Sequence, residues 1–270
     1  MKNKIRGDRK DENKNSCHPN WKSPDHKNKT KTMVIRRRID GSPIVPIDPG
    51  RPVKRVILVR HGESMGQAAR SKGWDRQTDR RLLDCRLTFK GVSQALALRK
   101  LLQPKDVDSI QLVVCSPLTR ALETALLAFP EKSMLVSYDM RELGTKVPEN
   151  TPRPISQVLS DLHELLQERP KDASLDETSL QPRDWPKDYS PSVIKRDRIR
   201  NALHYLYHER EETTIAIVCH YNVIRSAIID GAKLRPMNAV PIPCMLYSNG
   251  DLLLCKEGTI GTGCEKSASL

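Results

Sequence analysis

No run of about 18 consecutive apolar residues occurs in this 270-residue sequence, so it contains no candidate for a transmembrane helix. The N-terminal residues carry charge where a signal peptide needs an apolar segment, which argues against secretion. Asp8, Asp11 and Glu12 also argue against a mitochondrial presequence, because such presequences contain few acidic residues. These absences predict a soluble cytoplasmic protein, and the basic N-terminal segment leaves the nucleus open as an alternative.

The sequence also lacks the cysteine patterns of a disulfide or zinc framework. Its seven cysteines are an odd number and none forms a C-x-x-C pair. Cys115 and Cys219 end apolar runs, which is typical of buried thiols in a reducing compartment. His204 and His208 have helical spacing, but Tyr205 stands where a zinc-protease motif has its glutamate. We therefore expect no metal site and no cofactor.

The net charge of +13 is concentrated at the N-terminus, where residues 1–55 hold 16 Lys and Arg against 6 Asp and Glu. Residues 1 to about 32 contain hardly any aliphatic side chain to offset the entropy of ordering, and the proline-spaced residues 41–50 read as an extended lead-in. We therefore expect a disordered basic tail and lead-in over 1–50. A solvated extension is one interpretation of this tail, and contact with polyanions is the alternative. We expect one folded domain over 51–258, with an insertion at about 144–190 and a flexible tail over 259–270.

Short apolar runs alternate with helical patterns along the predicted domain. Strands are predicted near 56–59, 110–115, 134–138, 215–219 and, as a closing pair, around 245–255. Helices are predicted after Gly91, over 155–168, over 191–210 and from about 222. A further helix is predicted with Ser116 as its N-cap and Pro117 as its first residue. This alternation predicts an α/β fold: a three-layer sandwich with a mainly parallel central sheet flanked by helices.

Polar residues follow three of the predicted strands. Arg60 and His61 follow the first strand, Arg120 comes shortly after the second, and His220 follows the strand at 215–219. Ligands bind outside the carboxyl ends of the strands in open α/β sheets, so we expect these residues at one edge. Arginine offers paired donors to phosphate, and neutral imidazole is an available nucleophile. The sequence therefore predicts a site for a phosphoryl group.

Five blocks of sequence, in order, carry a family resemblance. They are L-V-R-H-G-E-S at 58–64, D-C-R-L-T-F-K-G at 84–91, S-P-L-T-R-A-L-E-T-A at 116–125, R-E-L at 141–143 and V-C-H-Y-N-V-I-R at 218–225. These blocks resemble the signatures of the histidine phosphatase superfamily, in its phosphoglycerate mutase-like branch 1. The resemblance covers roughly residues 54–255, and it implies a phosphoglycerate mutase-like fold.

The resemblance implies a metal-independent phosphatase that hydrolyses a phosphomonoester through a phosphohistidine. His61 would be the nucleophile, while Glu142 would protonate the leaving oxygen and later activate water. The residues that would hold the phosphoryl oxygens and bind substrate are Arg60, Gln67, Arg120 and His220. Gln67 stands where many members of the family carry an asparagine that donates to phosphate. Other carboxyls that could take the acid role are Asp84, Glu123 and Glu149.

Two features depart from the family pattern. Glu142 leads into L-G-T-K-V-P, whereas the mutase branch has an E-R-H-Y-G-type stretch, and Tyr221 stands where small glycines are usual. The first departure argues against the mutase branch, and the second suggests a non-catalytic module that binds phosphorylated ligands. Phosphoglycerate mutase-type phosphoryl transfer and such a module are the two alternatives to a phosphatase. We expect the substrate to be a small phosphorylated molecule or a phosphoprotein. Cationic residues of the insertion, including Arg153, suggest a second acidic group on it.

Overall fold

The computed structural model describes residues 52–75, 78–143, 147–167 and 195–255. Its strands are β1 (Lys54–Arg60), β2 (Leu112–Cys115), β3 (Met134–Val136), β4 (Thr214–Cys219), β5 (Pro241–Leu246) and β6 (Leu252–Leu254). Its α-helices are α1 (Met65–Ser71), α2 (Phe89–Leu101), α3 (Pro104–Ser109), α4 (Thr119–Ala128), α5 (Ile155–Gln167), α6 (Lys195–His208) and α7 (Tyr221–Ala227). Single 3₁₀ turns span Arg80–Leu82, Tyr138–Met140, Pro148–Asn150 and Gly231–Lys233. The tails predicted over 1–50 and 259–270 lie outside the described residues, as does much of the predicted insertion.

The strands form one six-stranded sheet in the order β3-β2-β4-β1-β5-β6. Strands β1, β2, β3 and β4 pair in parallel, with Arg55 of β1 opposite Thr214 of β4. Strands β5 and β6 add an antiparallel edge. Every residue of β4 is buried, as are most of those in β1. Parallel strands covered on both faces read as continuous apolar runs, which is why both were predictable from sequence.

Helices cover both faces of the sheet, because alternate strand residues point to opposite sides. One core contains Val59, Val113 and Val218 of the sheet with Leu98 of α2, Leu122 of α4 and Leu162 of α5. The other contains Leu58, Val114 and Ile217 of the sheet with Ile199 and Leu203 of α6 and Val223 of α7. The predicted α/β sandwich with a mainly parallel sheet is thus confirmed. Among the residues that the structure covers, no helix has both the length and the apolarity needed to cross a membrane.

Helix α4 begins later than the sequence predicts. The prediction that Ser116 caps it, with Pro117 as its first residue, is wrong, because the helix starts at Thr119 with Leu118 as its N-cap. The Ser116 hydroxyl instead accepts a hydrogen bond from the Leu118 N–H at 3.3 Å and lies 2.7 Å from Nε2 of His220. The side chain expected to cap the helix therefore belongs to the histidine cluster.

Helix α2 begins at Phe89, earlier than the predicted start after Gly91. Thr88 is its N-cap, and the Thr88 hydroxyl accepts from the Gly91 N–H at 3.0 Å. A Cβ atom at Gly91 would lie only 2.1 Å from the carbonyl oxygen of Glu63. This close approach requires glycine, and it brings the first turn of α2 against the segment that follows His61.

Candidate active site

Three of the predicted site residues meet at the carboxyl edge of the sheet. His61 directly follows β1, His220 directly follows β4, and Arg120 lies in the first turn of α4. All three are buried, with exposed fractions of 4%, 0% and 3% respectively. The ring centroids of the two histidines are 5.1 Å apart. The neighbouring positions of β1, β4 and β2 in the sheet therefore bring together residues that are far apart in the sequence.

The hydrogen bonds of His61 assign its tautomer. Its Nδ1 lies 2.6 Å from the carbonyl oxygen of Gly62, and because a carbonyl only accepts, Nδ1 carries the proton. Its Nε2 accepts from Nε of Arg120 at 3.3 Å and therefore carries the lone pair. Burial, together with the positive charges of Arg120 and Arg60, lowers the pKa of His61 well below its ordinary value. His61 is thus a neutral imidazole at physiological pH, which is the form that a nucleophile needs.

His220 is held by Arg120 and Ser116. Nη2 of Arg120 lies 3.3 Å from Nδ1 of His220, and because a guanidinium only donates, Nδ1 is the acceptor. Nε2 then donates to the Ser116 hydroxyl at 2.7 Å. Burial and the charge of Arg120 lower the pKa of His220 well below its ordinary value. Arg120 therefore supplies positive charge between two neutral imidazoles.

Two contacts that the sequence analysis missed fix Arg120 in place. Its Nη1 donates to the main-chain carbonyl of Glu149, and its Nη2 donates to Oδ1 of Asn150 at 2.9 Å. Both residues are buried in the turn Pro148–Asn150, near the start of the predicted insertion. The Glu149 contact uses only a backbone oxygen and leaves no signature in the sequence. The insertion thus begins with a structural part of the site.

Arg60 lies beside this cluster, and its guanidinium is only partly used in hydrogen bonds of the described residues. Its Nη1 donates to the Pro236 carbonyl at 3.0 Å, whereas its buried Nε has no hydrogen-bond partner in the described part of the chain. The guanidinium lies over the ring of Tyr221, 5.1 Å from the centroid, and that of Arg225 lies 5.3 Å from the same centroid. The bulky residue after His220 therefore packs against the arginines.

Asp84 supplies the cap that α4 lacks locally. Its Oδ1 accepts from the Thr119 N–H at 2.9 Å, and its Oδ2 accepts from the Thr119 hydroxyl at 2.7 Å. Asp84 is fully buried, and its φ of +39° lies in the left-handed region, which few residues other than glycine adopt. Nε of Arg153 lies 3.8 Å from Oδ2. Asp84 thus fixes the first turn of α4, the turn that carries Arg120.

We expect Asp84→Asn to remove a pH-dependent part of the free energy of unfolding. Burial raises the pKa of Asp84 from 3.8 to about 6, so the folded state binds this proton more tightly than the unfolded state. The resulting stability is fully present below pH 3.8 and is lost as the pH rises through 6. The shift corresponds to about 3 kcal/mol.

The measurement is urea unfolding of wild type and variant between pH 4 and pH 8. An asparagine at position 84 keeps an acceptor for the Thr119 N–H, so the variant should fold, and its stability relative to wild type should increase with pH. Asp108→Asn, at an exposed position, is the matched control and should leave the pH profile unchanged. Parallel profiles for wild type and Asp84→Asn would show that Asp84 does not titrate in this range.

Glu142 lies beside the cluster, after the turn Tyr138–Met140. Its Oε1 accepts from the Leu143 N–H at 2.7 Å. Burial raises the pKa of Glu142, and hydrogen bonds from the main chain together with the charges of Arg120 and Arg60 partly oppose this rise. A raised pKa keeps the proton on the carboxyl to higher pH, as a general acid requires. The surroundings of Glu142 therefore suit the predicted acid role.

Gln67 is linked to His61 by Asn238, a residue that the sequence analysis did not identify. Oε1 of Gln67 accepts from the Ser64 N–H at 3.2 Å and from Nδ2 of Asn238 at 3.0 Å. Nδ2 of Asn238 also donates to the His61 carbonyl at 2.7 Å, and Nε2 of Gln67 donates to Oδ1 of Asn238 at 3.1 Å. These bonds use one of the two N–H groups on Nε2 of Gln67. Contact of Gln67 with the substrate stays a prediction.

Two arginines near the site are engaged inside the protein. Arg86 pairs with Glu123 at 2.7 Å and with Glu164 at 2.6 Å. Arg153 pairs with Asp161 at 2.5 Å and donates to the Thr119 hydroxyl at 3.1 Å. The expectation that Arg153 meets a second acidic group on the substrate therefore finds no support in its contacts, because its charge is already balanced. Within the described residues, no group of three or more His, Cys, Asp or Glu side chains could hold a metal ion.

Comparison with known proteins gives one family match and one curated relative. The model of the histidine phosphatase superfamily (branch 1) matches residues 56–248. The 2-carboxy-D-arabinitol-1-phosphatase of wheat, Triticum aestivum, is 37% identical over 111 residues, which cover 40% of this chain and 20% of the wheat protein. The chain therefore matches about a fifth of the length of that relative.

Several solved structures are similar to the chain at low identity. A putative alpha-ribazole-5'-P phosphatase from Escherichia coli is 18% identical with a TM-score of 0.47, and covers 75% of this chain and 95% of its own. A phosphoserine phosphatase from Entamoeba histolytica, in complex with 3-phosphoglyceric acid, is 18% identical with a TM-score of 0.45 and the same coverages. A phosphoglycerate mutase from Bacillus anthracis is 18% identical with a TM-score of 0.47, and covers 77% and 94%. These identities are too low to transfer a substrate or an activity.

Proposed function

Because the chain belongs to the histidine phosphatase superfamily (branch 1), we propose that it is a phosphoric monoester hydrolase acting through a phosphohistidine on His61. One observation carries the proposal: His61 is neutral, its Nδ1 proton is bound by the Gly62 carbonyl, and its Nε2 lone pair faces Arg120. A nucleophile beside a buried guanidinium is matched to a phosphorus centre whose oxygens carry negative charge.

The first step forms the phosphoenzyme. The hydrogen bond from Nε of Arg120 to Nε2 of His61 is released as the phosphoryl group enters. Nε2 then attacks the phosphorus as the bond from phosphorus to the ester oxygen breaks, and Glu142 transfers its proton to the leaving oxygen. Arg60 and Arg120 hold the phosphoryl oxygens as their charge redistributes. The imidazole becomes positively charged when the P–N bond forms, and the Gly62 carbonyl, which accepts from Nδ1 at 2.6 Å, stabilises that charge.

The second step returns the enzyme to its starting state. The Glu142 carboxylate accepts a proton from a water molecule while the water oxygen bonds to phosphorus. The P–N bond breaks, its electron pair returns to Nε2 of His61, and inorganic phosphate leaves. The protein supplies the positive charge in both steps, so the proposed chemistry needs no metal ion.

The proposed substrate is a small phosphomonoester or a phosphoprotein. The name of the wheat relative places phosphorylated sugar acids among the compounds to test. Phosphoglycerate mutase-type transfer would use the same first step but return the phosphoryl group to an acceptor other than water. Contact of the basic residues 1–50 with polyanions is a separate proposal, which rests on the charge of that segment alone.

A substrate screen in EDTA tests this proposal. Phosphosugars, phosphoglycerates, nucleotides and phosphopeptides are supplied in turn, and inorganic phosphate is measured with His61→Ala as the control. We expect EDTA-resistant phosphate release from at least one class and none in the control. Phosphoglycerate isomerised without release would identify a mutase, and tight binding without turnover would identify a binding module. Activity that disappears in EDTA would overturn the metal-independent mechanism.

A further inference from the structure

Arg198 of α6 reaches across to the main chain of the segment that carries Glu142. Its Nη1 donates to the Tyr138 carbonyl at 3.1 Å, and its Nη2 donates to the carbonyls of Arg141 at 2.7 Å and Glu142 at 3.2 Å. We propose that Arg198 is a positioning residue that sets the location of the Glu142 carboxyl. This inference rests on the acid role of Glu142 in the proposed function.

The segment has little regular structure of its own to fix it. The turn Tyr138–Met140 ends just before it, and in the described residues Arg141, Glu142 and Leu143 belong to no helix or strand. The Leu143 carbonyl accepts from Nδ2 of Asn222 at a long 3.5 Å. The three bonds from Arg198 are shorter than this one, so Arg198 holds the segment more closely than the Asn222 side chain does.

Only an arginine suits this arrangement. Its planar guanidinium directs donors from two nitrogen atoms in fixed directions, so that one side chain serves three carbonyls. A lysine offers a single nitrogen on a flexible stem and would reach fewer of them. Arg198 contacts only main-chain oxygens in these three bonds, so they do not depend on the side chains at 138, 141 and 142. The sequence around Glu142 therefore gives no sign of this contact.

Misplacing a general acid has a specific kinetic consequence. Displacement of a reacting group by about 1 Å costs up to about 10²-fold in rate. The cost falls on substrates whose leaving group needs a proton, such as alkyl phosphates, and much less on p-nitrophenyl phosphate, whose leaving group is a weak base. A residue that merely supported the fold would slow both substrates alike.

The test measures phosphoenzyme formation by rapid quench in Arg198→Ala, using an alkyl phosphate and p-nitrophenyl phosphate. We expect about 10-fold to 10²-fold slowing with the alkyl substrate and less than about threefold with the aryl substrate. Arg198→Lys should recover part of the alkyl rate. Arg200→Ala, two residues along the same helix at an exposed position, is the matched control and should retain both rates. Circular dichroism checks that each variant is folded.

A double variant separates this inference from the proposed function. If Arg198 acts through Glu142, then adding Arg198→Ala to Glu142→Gln should slow the alkyl substrate little further, because the acid has already been removed. The inference would be overturned if the rate losses of the two single variants multiplied in the double variant. Equal slowing of both substrates in Arg198→Ala would also overturn it. If Glu142→Gln slowed phosphoenzyme formation equally for the alkyl and the aryl substrate, both the acid role and this inference would be overturned. If Glu142→Gln slowed the alkyl substrate selectively and Arg198→Ala slowed neither substrate, only the inference about Arg198 would be overturned.

Discussion

Replacing His61 by alanine is expected to lower turnover of a phosphomonoester by more than about 10³-fold, the scale seen when a covalent catalyst is removed. In the proposed mechanism Nε2 of His61 is the atom that bonds to phosphorus, and the variant has no atom at that position. Rapid acid-free quenching should detect acid-labile phosphate on the wild-type protein, as phosphohistidine requires, and none on the variant. The size of the loss follows from removing the covalent route altogether.

His204→Ala is the control for this experiment, because His204 is an exposed histidine on α6. It should retain both turnover and acid-labile phosphate. Full hydrolytic activity in His61→Ala would disprove the phosphohistidine mechanism. Acid-stable phosphate on the wild-type protein would point to a serine or threonine nucleophile instead.

Glu142→Gln is expected to slow phosphoenzyme formation from an alkyl phosphate by about 10² to 10⁴, the usual range for general acid catalysis. An alkyl phosphate expels a strongly basic alkoxide and needs a proton in the transition state, whereas p-nitrophenyl phosphate expels a weak base. The aryl substrate should therefore be slowed far less. Burst kinetics are required, because loss of the same residue as base would slow dephosphorylation for both substrates.

Glu209→Gln, at an exposed position after α6, is the matched control and should leave both bursts unchanged. Equal slowing of the two substrates in Glu142→Gln would move the acid role to another carboxyl. Glu149 would then be tested first, because its main-chain carbonyl accepts from Nη1 of Arg120 and so places the residue beside the cluster. Asp84 is already committed to the first turn of α4 through Thr119.

The sequence could predict those parts of the site that follow directly from the sheet. His61, His220 and Arg120 were found because each comes just after a strand, and parallel strands end at one edge. Burial on both faces made β1 and β4 visible as apolar runs. The alternating strands and helices likewise predicted the layered architecture.

The remaining parts depend on contacts that leave no local pattern. Asp84 caps a helix 35 residues away, so the start of α4 could not be read from Ser116 and Pro117. Asn238 contacts the His61 carbonyl across 177 residues. Glu149 holds Arg120 by a backbone oxygen, a group that every residue possesses. A pattern search along the chain detects side-chain types at fixed spacing and misses partners of these kinds.

The order of the strands determines when the candidate site can assemble during synthesis of the chain. Strand β1 leaves the ribosome before the other described strands, yet its neighbours in the sheet are β4 and β5, which both lie beyond residue 213. The contact between Arg120 and His220 likewise cannot form until His220, 100 residues later in the chain, has been synthesised. Closing loops of this length is slow compared with forming local helices. In a nascent chain β1 therefore stays unpaired, and the candidate site cannot assemble, until almost all of the domain has emerged.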